Sequence, residues 1–260
     1  MGILNATPDS FYNKGHESDV DGLLRTTEKM IREGAAILDI GGASTKPGQE
    51  LVTSDEELFR VMPVIKAIHA RFPDTWISVD TYNAKVAKEA VDAGADIIND
   101  VSAGRFDAEM IPTVAALNVP YIAMHMQGTP KTMQFDPVYG DVVAEVFNYL
   151  QHVCGQCVAA GITDIIIDPG FGFGKTVEHN FQLLASLHTF KKMDRPILAG
   201  LSRKSMICKT LKVNPEHALN GTTALNMVAL QQGANILRVH DVKEAIEVTR
   251  LFEELGGLKG

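Results

Sequence analysis

Polar side chains recur at one place in this chain, where each closes a short apolar segment. Asp80 closes Trp76–Asp80, Asp168 closes Ile165–Asp168, and Asn99 follows Ile97 and Ile98. Carboxylates accept hydrogen bonds and an amide both donates and accepts, which complements a flat heterocycle with amino and ring N–H groups. An isolated Asp or Asn more often caps a helix or satisfies loop backbone, and we assign Asp39 to that role. The whole set is Asn5, Asp39, Asp80, Asn99, His125, Asp168, the run Ser202, Arg203, Lys204 and Ser205, and Arg238 with His240.

Cationic side chains form a second group within this set. Lys204 and Arg238, with His240, are suited to holding an anion, and the planar fork of Arg matches phosphate oxygens. We therefore expect a substrate that carries phosphate. Asn5 offers a neutral oxygen of the kind that Mg²⁺ accepts beside substrate phosphates and waters.

Two further motifs suggest chemistry at first sight. The segment 168–176 is glycine-rich, but Pro169 stands where a Walker loop needs Gly, and the dinucleotide fingerprint also fails. Its glycines allow backbone to approach a ligand, and Phe173 is suited to packing against a ring. Cys154 and Cys157 have a redox or half-zinc spacing, but they fall inside a predicted helix without a second ligand pair, which favours packing.

The elements that position these residues follow a repeated pattern of Gly, an apolar run and one polar residue. It occurs at 34–39, 94–99, 161–168 and 233–238, and each Gly suits the position just past a helix. Three more apolar runs follow a proline or lie near one, at 76–80, 121–125 and 197–202, and an opening run at 2–5 makes eight strands. Helical periodicity predicts helices that include 19–32, 55–70, 84–93, 142–160 and 242–255.

Alternation of short buried strands with longer helices implies a parallel sheet with right-handed crossovers. Closing the sheet gives an α/β (β/α)8 TIM barrel, whereas leaving it open gives a doubly wound fold. We favour one closed barrel domain over 1–260, because eight units fit this length, and we expect the polar strand ends to meet at its carboxyl face. Since the first strand begins at residue 2, we also expect that a segment covering the lower face is missing.

Composition excludes several classes of protein. The chain has 260 residues, 45% of them hydrophobic, and a net charge of −8, which argues against a nucleic-acid partner. No run approaches a membrane span or a leader peptide. Three cysteines are too few for a disulfide scaffold, and we expect a cytoplasmic enzyme.

Ordered motifs over nearly the whole chain resemble those of the dihydropteroate synthases, pterin-binding barrels of folate biosynthesis. They are 2–11 (GILNATPDSF), Ser44-Thr45 before Pro47-Gly48, 78–81 (SVDT), 97–100 (IIND), 124–128 (MHMQG), 168–175 (DPGFGFGK), 202–205 (SRKS) and 238–240 (RVH).

The resemblance implies a transferase that condenses 6-hydroxymethyl-7,8-dihydropterin pyrophosphate with p-aminobenzoate, releasing pyrophosphate, assisted by Mg²⁺. It also implies a homodimer and a sulfonamide target. By this similarity, Asp80, Asn99, Asp168 and Lys204 bind the pterin, with Asp80, Asp168 and Lys204 catalytic. Pyrophosphate is assigned to Asn5, Thr45, Arg238 and His240, the metal to Asn5, and p-aminobenzoate to Thr45, Pro47, Phe173, Arg203 and Ser205.

The chain departs from the resembled pattern in its first two loops. Asn13 replaces a carboxylate, and Ala43 and Lys46 stand where relatives usually carry Glu and Arg. Two alternatives therefore stay open: a methyltetrahydrofolate-dependent methyltransferase barrel, which has no use for a pyrophosphate clamp, and a pterin-binding protein without turnover.

Overall fold

Eight parallel strands form the centre of the molecule. A computed structural model describes residues 1–6, 16–43, 52–129, 131–133 and 137–256. Within these ranges the strands are β1 (Gly2–Asn5), β2 (Ile37–Gly41), β3 (Trp76–Asp80), β4 (Ile97–Asp100), β5 (Tyr121–Met124), β6 (Ile165–Asp168), β7 (Leu198–Ala199) and β8 (Ile236–Leu237). All eight predicted strands are present.

The sheet closes on itself. Strands β1 to β6 pair in sequence order, and β7 pairs with β8. Parallel bridges join Ile167 to Ile197 and Gly2 to Val239, so β6 meets β7 and β8 meets β1. At the second junction the Ile3 amide donates to the Val239 carbonyl at 2.9 Å. The fold is therefore the closed barrel, and the open doubly wound alternative is wrong.

Helices surround the barrel. In the described ranges they are α1 (His16–Arg32), α2 (Ser54–Arg71), α3 (Ala84–Asp92), α4 (Met110–Leu117), α5 (Val142–Ala159), α6 (Val177–Ala185), α7 (Ser205–Leu211), α8 (Leu219–Gln231) and α9 (Val242–Glu254), with 3₁₀ turns at Leu187–Met193 and Pro215–His217. The five predicted helices agree within a few residues. Between β7 and β8 the chain forms two α-helices, α7 and α8, where a regular (β/α)8 barrel has one. Within these ranges, no helix has the length and apolar content to span a membrane.

The repeated glycines end helices, as the sequence pattern predicts. Gly34, Gly94, Gly161 and Gly233 all have positive φ, between 97° and 110°. They follow α1, α3, α5 and α8, where the chain must turn back towards the next strand. Glycine adopts this conformation without the penalty that a Cβ imposes. The local sequence therefore determines four of the turns that lead from a helix to the next strand.

The barrel interior is divided into an apolar and a polar layer. Successive strand residues point to opposite faces, so every second residue faces inwards. At the amino ends of the strands, Ile97, Ile122 and Leu198 form a buried cluster, against which Met1, Ile37, Ile166 and Ile236 pack. Two residues further along β4, β6 and β8, the same inward positions hold Asn99, Asp168 and Arg238. The apolar layer therefore forms the floor of a polar cavity.

Shortening Leu198 tests this floor. Leu198 is fully buried, so Leu198→Ala should lower the free energy of unfolding by about 2–5 kcal/mol, since it leaves a cavity that the barrel cannot collapse to fill. Urea denaturation measures the change. Val158→Ala, at a position 52% exposed on α5, is the control. Equal stability of the two variants would contradict the packing described.

Candidate active site

An ionic network crosses the interior of the barrel from β8 to β2 and β3. The Arg238 guanidinium donates from Nε to Asp39 Oδ2 at 2.6 Å and from Nη2 to Asp80 Oδ2 at 2.7 Å. Asn99 Nδ2 also donates to Asp39 Oδ2 at 3.1 Å, and Ser78 Oγ donates to Asp39 Oδ1 at 2.6 Å. The network thus connects β2, β3 and β4 with the end of β8 at one depth of the barrel.

The position of Asp39 corrects the sequence interpretation. Its carboxylate is fully buried and accepts hydrogen bonds from side chains within the barrel, so it neither caps a helix nor satisfies a loop. Strand β2 continues for two residues beyond it, to Gly41. The signal was available in the sequence: Asp39 stands between Leu38 and Ile40, and a charge inside a buried strand needs a partner.

The Asp80 carboxylate lies at the end of β3, beside Asn99 in the strand register. Burial raises the pKa of Asp80, the Arg238 charge opposes this shift, and the Asp39, Glu57 and Asp100 carboxyls add to it. One cation therefore holds two carboxylates close together, and its charge opposes the protonation of Asp80 that burial favours.

Asp168 and Lys204 form a second pair on the opposite part of the barrel rim. Burial raises the pKa of Asp168, and the Lys204 charge is the main opposing influence. Burial lowers the pKa of Lys204 to about 8, again opposed by the partner charge. The Lys204 ammonium donates to the Phe171 carbonyl and lies 4.9 Å from the centroid of the Phe173 ring. Lys204 thus links the acidic interior to the glycine-rich loop.

The glycine-rich loop, residues 169–174, packs its backbone directly against the end of β5. Gly170, Gly172 and Gly174 all have positive φ. A Cβ on Gly170 would lie 1.9 Å from the His125 carbonyl oxygen, and one on Gly174 would lie 2.4 Å from that of Gln127. Gly170 and Gly174 are therefore required by contact with the backbone after β5, and not by the approach of a ligand that the sequence suggested.

The amide of Gly170 donates to Asp168 Oδ1 at 2.7 Å. The loop thereby contributes to orienting an interior carboxylate.

Residues at the ends of β7 and β8 form the cationic side of the mouth. His240 Nδ1 forms a hydrogen bond with Ser202 Oγ at 2.9 Å, and Ser202 Oγ accepts from the His240 amide at 3.2 Å. Desolvation and the charge of Arg238 lower the pKa of His240 to about 4, although the residue is exposed to solvent. His240 is therefore neutral at pH 7.

The Arg203 guanidinium is fixed by hydrogen bonds to other residues of the protein. Its Nε and Nη2 donate to the Asp241 carboxylate at 2.8 and 2.7 Å, and Nη1 donates to the Pro215 carbonyl at 2.8 Å. Ser205, by contrast, is exposed as the first residue of α7. The Arg203 guanidinium thus joins the 3₁₀ turn before α8 to Asp241, the residue before α9, whereas Ser205 is exposed.

The remaining predicted site residues lie at or beyond the edge of the described structure. Asn5 is exposed at the end of β1. Thr45 and Pro47, like the departures Asn13 and Lys46, fall outside the described residues. Among the residues described, no group of three His, Cys, Asp or Glu side chains is placed to bind a metal. Cys154 and Cys157 are free thiols on α5, as expected of packing residues.

Comparisons with known proteins agree with this geometry. The sequence model of the family described as "Pterin binding enzyme" matches residues 1–240. Dihydropteroate synthase of Haemophilus influenzae is 46% identical over 255 residues, which cover 97% of this chain and 92% of the relative.

Two solved structures share the fold over 98% of this chain. The Yersinia pestis dihydropteroate synthase with a sulfonamide drug complex has a TM-score of 0.93 at 44% identity, with 93% of that chain covered. The Xanthomonas albilineans dihydropteroate synthase with 4-aminobenzoic acid has a TM-score of 0.92 at 42% identity, with 92% of that chain covered. The barrel, its polar interior and these similarities together show that the chain belongs to the pterin-binding enzymes and, among them, to the dihydropteroate synthase family.

Proposed function

We propose that the chain condenses 6-hydroxymethyl-7,8-dihydropterin pyrophosphate with p-aminobenzoate, giving 7,8-dihydropteroate and pyrophosphate. The observation that carries this proposal is the arrangement of acceptors inside the barrel and cations at its rim. Asp80, Asn99 and Asp168 are buried side chains with acceptor atoms, and Lys204 lies beside Asp168. A substrate with an anionic group attached to a flat ring that bears N–H groups matches these charges and hydrogen-bonding groups.

The pterin occupies the polar interior in this proposal. Asp80 and Asp168 accept its ring and amino protons, Asn99 supplies an amide, and Lys204 donates to a ring acceptor. Arg238 uses Nε and Nη2 for the two carboxylates. Since a guanidinium has five N–H donors, others remain to hold pyrophosphate, with His240 and with Thr45.

The aminobenzoate lies at the mouth, in a pocket shaped by Phe173, Ser205 and the aliphatic part of Arg203, together with Thr45 and Pro47. Phe173 is partly exposed and lies over Lys204. This arrangement lets one aromatic ring contact the second substrate while the ammonium below it contacts the first.

Mg²⁺ fits the residues present only as an ion shared with the substrate. Asn5 offers one neutral oxygen at the mouth, and the described residues supply no carboxylate cluster. Such a site suits an ion that keeps its waters and binds mainly to phosphates. When bound, Mg²⁺ neutralises charge on the departing pyrophosphate.

The chemistry needs no protein nucleophile. The bond between the pterin methylene carbon and the pyrophosphate oxygen breaks first, and the electron pair leaves with pyrophosphate. The conjugated ring delocalises the resulting positive charge, which Asp80 and Asp168 stabilise. The amine nitrogen of p-aminobenzoate then attacks the methylene carbon and loses a proton. Catalysis in this scheme is positioning combined with electrostatic stabilisation.

The single domain over 1–260, the homodimer, the cytoplasmic location and sulfonamide binding are also part of our proposal. The closed barrel supports the first, and the free thiols on α5 and α7 are compatible with a reducing compartment. Analytical ultracentrifugation, cell fractionation and competition by a sulfonamide against p-aminobenzoate test the other three.

An activity assay tests the proposed reaction directly. Purified protein with the pterin pyrophosphate, p-aminobenzoate and Mg²⁺ should release pyrophosphate and form dihydropteroate in equal amounts. Substrate binding without pyrophosphate release would instead favour the protein without turnover. Methyl transfer from methyltetrahydrofolate would favour the methyltransferase, although the Arg238 guanidinium, with His240 beside it as a neutral polar group, argues against it.

Asp80→Asn should lower kcat by about 100-fold or more, because the amide cannot stabilise positive charge on the ring as a carboxylate does. Arg238 keeps its partner Asp39, so the fold should persist. Steady-state kinetics and circular dichroism measure both effects. Asp92→Asn, at an exposed position on α3, is the control; near-normal turnover by folded Asp80→Asn would refute the proposed role.

Activity should also fall as Lys204 loses its proton. Its pKa is lowered to about 8, so the ammonium is present below this pH and is lost above it. A profile of kcat/KM for the pterin substrate should be flat near pH 7 and fall about tenfold per pH unit well above 8. In Lys204→Arg the residual activity should lack this alkaline limb, since Arg stays charged. An unchanged limb would exclude Lys204 as its origin.

A further inference from the structure

A buried lysine outside the roles assigned above holds the glycine-rich loop in place. Lys175 immediately follows this loop and is only 3% exposed. Its Nζ lies 2.8 Å from the Gly170 carbonyl oxygen, 3.1 Å from the Phe173 carbonyl oxygen and 3.0 Å from His125 Nδ1. An ammonium has three N–H donors, so each proton has one acceptor. Burying a long cationic side chain without such partners would cost several kcal/mol.

The groups around His125 determine its charge. Burial lowers the pKa of His125 to about 2, and the charges of Lys175 and Arg105 add to that shift. His125 is therefore neutral at pH 7, and its Nδ1 forms a hydrogen bond with Lys175 Nζ at 3.0 Å. The ring edges of Tyr149 and Tyr139 surround it, with the Tyr149 centroid 4.9 Å away.

The charges of Asp168 and Lys204 act on the Lys175 side chain. Burial lowers its pKa well below the ordinary value, while the Asp168 carboxylate opposes the shift and the Lys204 charge adds to it. The two carbonyl oxygens near Nζ accept its protons, so the side chain holds the loop through these hydrogen bonds.

The loop that Lys175 holds connects both proposed substrate sites. Between the two carbonyls bound by Lys175, the Phe171 carbonyl accepts from Lys204. The Phe173 ring lies over that same lysine. The Gly170 amide donates to Asp168. If the loop shifted, the largest displacement would be at Phe173, which the loop carries, whereas Asp80 and Asn99 are fixed by their strands.

We propose that Lys175 is a positioning residue: its buried amino group binds His125, Gly170 and Phe173 together and thereby fixes the Phe173 ring for p-aminobenzoate. This inference rests on the proposed function. Lys175 does not touch either substrate in it. It acts through backbone carbonyls, and the pterin site contacts the loop backbone through two hydrogen bonds, from the Gly170 amide to Asp168 and from Lys204 to the Phe171 carbonyl.

The variants Lys175→Met and Lys192→Met test the proposal. Methionine keeps much of the length of lysine but removes its charge and donors. Lys192 is exposed in the 3₁₀ turn before β7 and serves as the matched control. In Lys175→Met the KM for p-aminobenzoate should rise about tenfold or more, the factor expected for losing a charge-assisted hydrogen bond. The KM for the pterin pyrophosphate should change by less than about threefold, and Lys192→Met should match the unaltered chain.

A purely structural role predicts a different result. It would lower the amount of folded enzyme, and hence apparent kcat, while leaving both KM values unchanged. That outcome in folded Lys175→Met, or an equal rise in both KM values, would overturn the proposal. Product formation by the unaltered chain in the same assay tests the proposed function separately.

A second pair of variants decides the question if Lys175→Met does not fold. His125→Asn keeps an acceptor close to the Nδ1 position, whereas His125→Leu removes it and leaves an apolar side chain. The KM for p-aminobenzoate should stay within about threefold in the first and rise about tenfold in the second. Equal KM values in the two variants would overturn the proposal.

Discussion

The buried guanidinium of Arg238 lies between the carboxylates of Asp39 and Asp80, and the interior of the barrel depends on this pairing. Asp39 is fully buried, and the Arg238 side chain is only 22% exposed. Removing one member of such a network leaves an unpaired charge, which typically costs about 3–5 kcal/mol. The pairing joins β8 to β2 and β3 across the barrel, so the polar cavity is kept in one arrangement before any ligand enters.

The same pairing creates the chemical character of the cavity. A close-packed apolar core would be at least as stable as two carboxylates and a guanidinium. The polar layer is therefore best explained by ligand recognition: carboxylate oxygens are held at fixed positions, and the cation that neutralises them also faces the mouth. The apolar layer at Ile97, Ile122 and Leu198 supplies stability on one side, which lets the other side carry charge.

The glycine-rich loop is also held in place by buried or partly buried charged side chains. Two lysines hold its carbonyls, Lys175 from the buried side and Lys204 from the cavity. Glycines allow the loop backbone to contact the backbone after β5 at distances that a Cβ would forbid. The carbonyls of Gly170, Phe171 and Phe173 are thus paired with protein donors.

The sequence by itself determined the number and order of the strands, the helix ends at glycines such as Gly34 and Gly94, and most of the polar residues of the cavity. These follow from periodicity of two and 3.6 residues and from local backbone preference, which are properties of short segments. Tertiary structure alone decided which polar groups pair. Arg238 and Asp39 are 199 positions apart, and Asp39 was misassigned because its partner is identified only when β8 closes beside β1. Lys175 is a similar case: a lysine after a glycine-rich run looks solvent-exposed until the His125 ring, 50 positions earlier, is brought against it. Burial and pairing are properties of the closed barrel, and no local segment contains them.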